Sequence, residues 1–128
     1  MSAGSSRGTV LVVEDDNDIR EAIAEILEDG EYRALRAANG EIALEKLRGE
    51  ASPPCLILLD MMMPVMDGRE FRARQQEDES LRKIPVIVLS AHADAARTAC
   101  QMQVAGYLKK PLDLPELLRT VEHYCKRE

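Results

Sequence analysis

Asp60 is the residue whose position most clearly indicates chemistry. It ends the apolar stretch LILL and precedes MMMPVMDG, so a carboxylate follows directly on a segment with the composition of a fully buried strand. An unpaired carboxylate in an apolar setting costs several kcal/mol, and proteins bury such a group only with partners. We therefore expect other charged or polar side chains close to Asp60.

Polar residues also follow the other apolar runs of the chain. Glu14 and Asp15 come directly after TVLVV, Ser90 comes after VIVL, and Lys110 closes the segment AGYLKK. In an open α/β sheet, ligands bind beyond the carboxyl ends of the strands, where the strand order reverses. The sequence therefore predicts that these side chains and Asp60 gather on one rim of a parallel sheet.

Three carboxylates on one rim need a counter-ion. Like charges a few ångströms apart raise one another's pKa or attract a cation, and a hard divalent cation such as Mg²⁺ suits a half-open site with oxygen ligands. Glu14, Asp15 and Asp60 are the candidate ligands, while Lys110 adds a positive charge and Ser90 a hydroxyl donor. Such surroundings can hold a phosphoryl group on an aspartate that acts as a nucleophile.

The neighbouring charges have a simpler structural explanation. Asp16 and Asp18 are expected in the first turn of a helix, where capping and the helix dipole favour them. Glu14 and Asp15 could be explained in the same way, but Asp60 could not, because no helix begins directly after it. Lys109 is expected to be a solvated surface charge.

Five segments predict the strands that position these residues. Continuous apolar runs are typical of strands buried on both faces of a parallel sheet, whereas a mixed apolar and basic segment is typical of an edge strand. The central strands are predicted at 9–13, 55–59 and 86–89, the edge strand at 31–37 and a weaker fifth strand at 105–109.

Helical patterns alternate with the strands. Apolar residues recur at three- and four-residue steps over 19–27, after the turn signal Asn39-Gly40, and in the last helix, where Asp113 is expected to cap. Weaker helices are predicted at 68–77 and 93–103. Five alternations of strand and helix predict a doubly wound α/β fold with a five-stranded parallel sheet.

Length and composition limit the classes of protein to which the chain can belong. The chain has 128 residues, the size of one domain, and we expect an N-terminal flexible extension over 1–8 followed by a folded domain over 9–126. A net charge of −6 argues against direct nucleic acid binding, which requires basic patches. No apolar run approaches the roughly 20 residues that span a bilayer, so membrane insertion is not expected.

The three cysteines show no metal-binding spacing. Cys55, Cys100 and Cys125 are dispersed along the chain and odd in number. We predict that all three are reduced thiols in a cytoplasm, where they act as small hydrophobic side chains.

Four motifs in the same order resemble the receiver domain of two-component response regulators. They are VLVVEDD, LILLDMMMPVMDG, VIVLSA and GYLKKP, and the resemblance covers the chain from about Thr9 to Tyr124. It implies a flavodoxin-like, three-layer α/β/α fold with the strand order 2-1-3-4-5, similar to chemotaxis-type single-domain receivers.

The resemblance also implies a role for each residue of the acidic site. Asp60 matches the phosphoacceptor and is expected to be exposed at the tip of its strand. Asp15 and Asp60 would bind Mg²⁺ directly, Glu14 directly or through water, and the backbone carbonyl of Met62 would complete the coordination; Mn²⁺ can substitute. Lys110 matches the phosphate-pairing lysine, and its bond to the next proline is expected to be cis.

Further positions match the switch and the control of phosphoryl lifetime. Ser90 corresponds to the hydroxyl residue that bonds the phosphoryl oxygen, and Tyr107 to the aromatic residue that rotates inward when that hydroxyl moves. Met62 and His92 occupy the two positions that can gate attacking water in the family. Met62 can neither donate nor accept a proton, and the alternative for His92 is a solvent-exposed histidine with no catalytic role. The sequence departs from the family at Gln103, where Gly often ends the fourth helix, so that helix end is expected to differ.

The implied function is a phosphorylation switch in a phosphorelay. A sensor histidine kinase or a phosphotransfer protein would donate the phosphoryl group from a phosphohistidine. The modified receiver would then regulate an output protein, through the face formed by the fourth helix, fifth strand and fifth helix. A cytoplasmic location in a bacterium is expected. Such a domain promotes its own phosphoryl transfer and autodephosphorylation without being a conventional turnover enzyme.

Three alternatives remain open from the sequence. A degenerate receiver would have the same fold and act as a phosphorylation-independent protein-interaction module. A phosphohydrolase of the haloacid dehalogenase group would carry a second aspartate where this chain has Met62. A flavodoxin-like mononucleotide binder would need a Ser/Thr/Gly-rich loop where this chain has EDDND, which repels phosphate.

Overall fold

A five-stranded parallel sheet with the strand order β2-β1-β3-β4-β5 forms the centre of the protein. The computed structural model describes residues 7–125. The strands and helices alternate as β1 (Thr9–Val13), α1 (Asn17–Asp29), β2 (Arg33–Ala37), α2 (Gly40–Gly49), β3 (Leu56–Asp60), α3 (Gly68–Gln76), β4 (Val86–Ser90), α4 (Ala95–Met102), β5 (Gly106–Lys109) and α5 (Leu114–Tyr124). The predicted doubly wound α/β fold and its strand order are confirmed.

The helices cover the two faces of the sheet in two groups. On one face, Val10, Val12, Leu56 and Leu58 pack with the apolar residues of α1 and α5. On the other face, the alternate strand residues pack with α2, with Phe71 of α3 and with the end of α4. Because both faces are buried, β1, β3 and β4 need apolar side chains at consecutive positions, as the sequence predicts.

The register of the sheet aligns the carboxyl ends of the strands. Val13 pairs with Leu59, Asp60 pairs with Leu89 and Ser90 pairs with Lys109. Residues that follow the ends of β1, β3, β4 and β5 therefore emerge on the same edge.

Four of the five strands differ slightly from their predicted bounds; among them, β4 also includes Ser90 and β5 begins at Gly106. β2 starts at Arg33 instead of residue 31, because Glu31 has a positive φ of 74° that is incompatible with extended backbone. β3 starts at Leu56 and includes Asp60, which pairs with β4.

The helix starts follow the capping residues in the sequence. The side chain of Asp16 accepts the N–H of Ile19 at 3.0 Å, and that of Asp113 accepts the N–H of Glu116 at 3.4 Å. Asn39 caps α2 in the same way. The predicted roles of Asp16 and Asp113 at helix starts are confirmed.

The end of α4 combines an unusual residue with a buried support. Gln103 takes the left-handed conformation, with φ 57° and ψ 41°, that glycine usually takes at such a position. The buried guanidinium of Arg72 donates to the carbonyl oxygens of Met102, at 3.1 Å, and of Gln103. The helix therefore ends with the backbone conformation that a glycine would adopt there. The expectation of a different helix end was wrong, because Arg72 binds the final carbonyls.

Two of the three cysteines form a disulfide. Cys55 and Cys125 are 70 positions apart in sequence, yet their Cα atoms are 5.3 Å apart. The prediction of three reduced thiols was wrong for this pair, because the residue before β3 and the residue after α5 meet at the amino edge of the sheet. Cys100 is a free, exposed thiol.

The predicted extension over 1–8 lies mostly outside the described residues. Its last two residues are placed: the N–H of Arg7 donates to the carbonyl of Glu31 at 2.8 Å, and the carbonyl of Gly8 accepts the N–H of Arg33 at 2.8 Å. Within residues 7–125, no helix is long and apolar enough to cross a membrane.

Candidate functional site

Three carboxylates meet where β1 and β3 end. Carboxylate oxygens of Glu14, Asp15 and Asp60 all lie within 4.8 Å of one another. Glu14 and Asp15 directly follow β1, and Asp60 is the last residue of β3. The structure thus brings together the acidic residues that the sequence placed on one rim.

Glu14 is the most deeply buried of the three carboxylates, with 1% of the residue exposed. Its Oε1 accepts from Lys110 Nζ at 2.9 Å, and its Oε2 accepts the N–H of Asp16 at 3.3 Å. Burial raises the pKa of Glu14 and the charge of Asp60 adds to this, although the hydrogen bond from Lys110 opposes it. Keeping the buried Glu14 ionised therefore costs free energy, and further positive charge beside it would reduce that cost.

Asp60 is buried, with 6% of the residue exposed. Asp60 lies at the end of its strand as expected, but the expectation that it is exposed was wrong, because it pairs with Leu89 of β4 and lines a cleft. Its Oδ1 lies 3.3 Å from Lys110 Nζ. A reactant must enter the cleft to reach this oxygen.

Gly68 allows the chain to fold back on Asp60. A Cβ atom at this position would lie 2.9 Å from the backbone oxygen of Asp60, which is closer than real Cβ contacts. The N–H of Gly68 donates to the carbonyl of Met61 at 3.1 Å and closes the loop. No role was predicted for Gly68 from the sequence, although the Asp67-Gly68 turn signal could have identified it.

Lys110 supplies the cation of the site. Its backbone N–H donates to the carbonyl of Ser90 at 2.8 Å, and its bond to Pro111 is cis, as predicted. Burial by itself lowers the pKa of the Lys110 ammonium, but the hydrogen bond to Glu14 and the charges of Asp60 and Glu14 outweigh it. The pKa therefore lies above its ordinary value, and the side chain stays charged.

A cleft of about 350 Å³ opens over these residues. It is lined by every predicted site residue except Tyr107, that is, by Glu14, Asp15, Asp60, Met62, Ser90, His92 and Lys110. The Ser90 hydroxyl oxygen accepts the N–H of His92 at 3.1 Å. Met62 is 70% exposed and His92 is exposed, so both lie at the mouth of the cleft.

Tyr107 lies apart from the cleft. Its side chain stands on the edge strand β5, is 41% exposed and lines a separate hollow with residues of α5. The structure therefore does not bring Tyr107 into contact with Asp60 or Lys110.

The donor atoms fit Mg²⁺ chemically. The cluster offers carboxylate oxygens only, and hard divalent cations prefer oxygen ligands. The half-open cleft leaves room for the waters that Mg²⁺ retains.

Comparisons with known proteins place the chain in one family. The family model of the response regulator receiver domain matches residues 10–122. The chain is 37% identical over 118 residues, covering 91% of this chain and 88% of the other, to an uncharacterized 14.6 kDa protein of the sodA1 3′ region of Leptolyngbya boryana. It is 32% identical to the polar-differentiation response regulator DivK of Brucella anthropi, covering 91% of this chain and 94% of DivK.

A solved structure shows the same similarity in three dimensions. The receiver domain of the sensor histidine kinase PA1611 from Pseudomonas aeruginosa PAO1, whose crystal structure has a magnesium ion coordinated in the active site cleft, superposes with a TM-score of 0.83. It is 27% identical, and the match covers 94% of this chain and 98% of that one. The chain belongs to the family of response regulator receiver domains.

Proposed function

We propose that this protein is a phosphorylation switch in which Asp60 accepts a phosphoryl group from a phosphohistidine. Receiver domains act as phosphorylation switches and interact with histidine kinases and output partners. The observation that carries the assignment to Asp60 is the position of Lys110 Nζ, 2.9 Å from Glu14 and 3.3 Å from Asp60, inside a cluster of three carboxylates. A nucleophile, a cation and metal-type oxygen ligands therefore lie within one cleft.

The transfer exchanges one bond to phosphorus for another. A carboxylate oxygen of Asp60 attacks the phosphorus, the P–N bond to the donor imidazole breaks, and the imidazole nitrogen keeps the bonding electron pair. Little further covalent chemistry is needed, because positioning and charge stabilisation supply most of the rate enhancement in phosphoryl transfer.

Charge stabilisation is assigned to the surrounding residues. Glu14, Asp15, Asp60 and the backbone carbonyl of Met62 would hold Mg²⁺, which would supply positive charge against the phosphoryl oxygens. Lys110 pairs with a phosphoryl oxygen, since its ammonium already bridges Glu14 and Asp60.

The Ser90 hydroxyl completes the proposed switch. It now accepts an N–H bond from His92, and its own proton is available to a phosphoryl oxygen on Asp60. Movement of Ser90 would change the space beneath Tyr107, which is expected to rotate inward. We assign output to the face of α4, β5 and α5, and the lifetime of the phosphoryl group to Met62 and His92 at the mouth of the cleft.

The donor in this proposal is a sensor histidine kinase or a phosphotransfer protein, and the location is the cytoplasm of a bacterial cell. The output protein would recognise the phosphorylated form. Asp60 carries about −1.5 to −2 charge after phosphorylation, which is enough to bias a two-state loop.

The test is phosphorylation by acetyl phosphate followed by intact-mass analysis. With Mg²⁺ the protein should gain one phosphoryl group, and this gain should be absent from Asp60→Asn and from a metal-free sample. Asp18→Asn is the matched control, because it removes a carboxylate in the first turn of α1 and should leave the gain unchanged.

A beryllium fluoride titration, followed by thermal unfolding, distinguishes rapid hydrolysis from an inactive site. Stabilisation that requires both Mg²⁺ and Asp60 would support the proposal even if no phosphoryl group accumulates. A folded protein that gains neither phosphoryl group nor beryllium fluoride would overturn it. Such a protein would act as a phosphorylation-independent interaction module.

A further inference from the structure

The disulfide joins the start of β3 to the end of α5. Cys55 immediately precedes β3, whose last residue is Asp60, and Cys125 is the residue that ends α5. Lys110 lies at the other end of α5, a short loop before its first residue. A covalent bond at the amino edge of the sheet therefore connects the strand that carries Asp60 with the helix that follows Lys110.

The surroundings of Cys55 also fit a free thiol. Its Sγ atom lies 3.3 Å from the carbonyl oxygen of Thr9, which the N–H of Cys55 also contacts at 2.9 Å. If the disulfide opens, the new S–H has a hydrogen-bond acceptor in place. The backbone N–H of Cys125 donates to Val121 at 2.9 Å and does not depend on the disulfide. Both redox states therefore satisfy the local polar groups.

The two sulfur atoms differ in their access to solvent. Cys55 is half-buried, whereas Cys125 is buried in the cluster formed with α1 and α5. Gly8 packs beside Cys55, and a Cβ atom there would lie 3.0 Å from its Sγ atom. The same Cβ atom would lie 3.9 Å from the Sγ atom of Cys125, so Gly8 packs against both sulfurs. Cys55 is the more exposed of the two cysteines, and we therefore assign the first reaction with a reagent to it.

We propose that Cys55 and Cys125 form a reversible redox pair. This pair would be a second site of covalent modification, separate from the acidic cleft. The oxidant assigned is a small-molecule disulfide such as oxidised glutathione. The Cys55 thiolate attacks one sulfur of that disulfide and releases one glutathione thiolate. The Cys125 thiolate then attacks Cys55 in the mixed disulfide and releases the second. Two protein thiols lose two electrons and two protons, and one small disulfide becomes two thiols.

The redox state determines how the last turn of α5 is attached to the sheet. In the oxidised state, Cys125 is bonded to the residue before the central strand β3. In the reduced state, only packing and hydrogen bonds hold that turn. Oxidation should therefore suppress local opening of the segment from Val121 to Cys125.

The test is a redox titration in native buffer, on a Cys100→Ser background that removes the third thiol. The protein is equilibrated with mixtures of reduced and oxidised glutathione, its free thiols are alkylated, and the intact mass counts them. We expect a reversible passage between two alkylated thiols and none. A pair that excess dithiothreitol opens only in denaturant, or that oxidised glutathione never closes, would overturn the proposal.

Hydrogen exchange on the same samples tests the effect on α5. Amides of the segment from Val121 to Cys125 should exchange about tenfold faster after reduction, and Cys125→Ala should reproduce the reduced wild type. Comparison with reduced wild type guards against a variant that merely misfolds. Equal exchange in the two redox states would contradict the proposed attachment.

Discussion

Lys110 Nζ lies 2.9 Å from Oε1 of Glu14, although the two residues are 96 positions apart in the chain. Glu14 is almost fully buried, and this ammonium is the only cationic group within the described residues that forms an ion pair with it. Because Lys110 also contacts Asp60 at 3.3 Å, one positive charge serves a cluster of three carboxylates. The site therefore carries more negative than positive charge.

Replacing Lys110 by Met should destabilise the metal-free protein. Removal of one partner from a buried ion pair leaves an uncompensated charge, and we expect the free energy of unfolding to fall by about 3 kcal/mol. Mg²⁺ should recover part of the loss, because a cation that binds only the native state stabilises it. Urea unfolding with and without Mg²⁺ measures both effects. Lys109→Met, at the exposed neighbouring lysine, is the control, and an equal loss in the two variants would contradict the role given to Lys110.

Two glycine-to-alanine substitutions should have opposite signs. At Gly68 the added Cβ meets the backbone of Asp60 at 2.9 Å, so the loop must shift and the free energy of unfolding should fall by about 1–3 kcal/mol. At Gly49, near the end of α2, no atom lies within 4 Å of the added Cβ, and Ala should stabilise by about 0.4–1 kcal/mol. Thermal unfolding compares the two. Stabilisation by Gly68→Ala would show that the close approach is not needed.

Arg72→Leu should destabilise the packing of α3 against the end of α4. The substitution removes donors from the carbonyls of Met102 and Gln103 and from the side chain of Gln75, and we expect a loss of about 2 kcal/mol. Arg74→Leu is the matched control. Its surface pair with Glu70, at 3.4 Å, contributes no more than about 0.5 kcal/mol. Chemical denaturation should separate the two variants, and similar losses would argue against the support of α4 by Arg72.

Glycine at position 103 should stabilise the protein. Gln103 has a φ of 57°, which glycine adopts without strain, so Gln103→Gly should add about 0.5–1 kcal/mol to the free energy of unfolding. The same substitution at Gln101, inside α4, should instead remove about 1 kcal/mol. Paired thermal melts test the opposite signs. Destabilisation by both variants would show that the side chain of Gln103 itself stabilises the protein.

Local patterns predicted the architecture of the site because the features that determine it can be recognised from neighbouring residues in the sequence. Continuous apolar runs mark strands buried on both faces, and parallel strands bring the residues after their ends to one edge. That reasoning places Glu14, Asp15, Asp60 and Lys110 on one rim. The order of the strands came from the resemblance to receiver domains and not from the periodicity.

Features that depend on contacts between distant segments could not be predicted. The burial of Asp60 depends on how the loop after β3 returns to it at Gly68. The segment 68–77 predicted only a weaker helix, yet Gln75 is fully buried and donates to the carbonyls of Leu81 and Ile84. Its partners become apparent only when the loop after α3 is folded.

The cysteine pair is a further example of a contact between distant segments. Spacing along the chain carries no information on which strand end meets which helix end. Cys55 and Cys125 meet because β3 is central and α5 packs across the same face of the sheet.

The disulfide between Cys55 and Cys125 also determines how the protein would respond to a pulling force. Tension applied at the two ends of the oxidised chain passes through the sulfur–sulfur bond, so the 70-position segment that it closes cannot lengthen. Only the part before Cys55, from β1 to α2, could unravel. Reduction would release up to about 240 Å of additional extended length from the closed segment. Under tension, the oxidised chain would therefore extend only in part, whereas the reduced chain would extend completely.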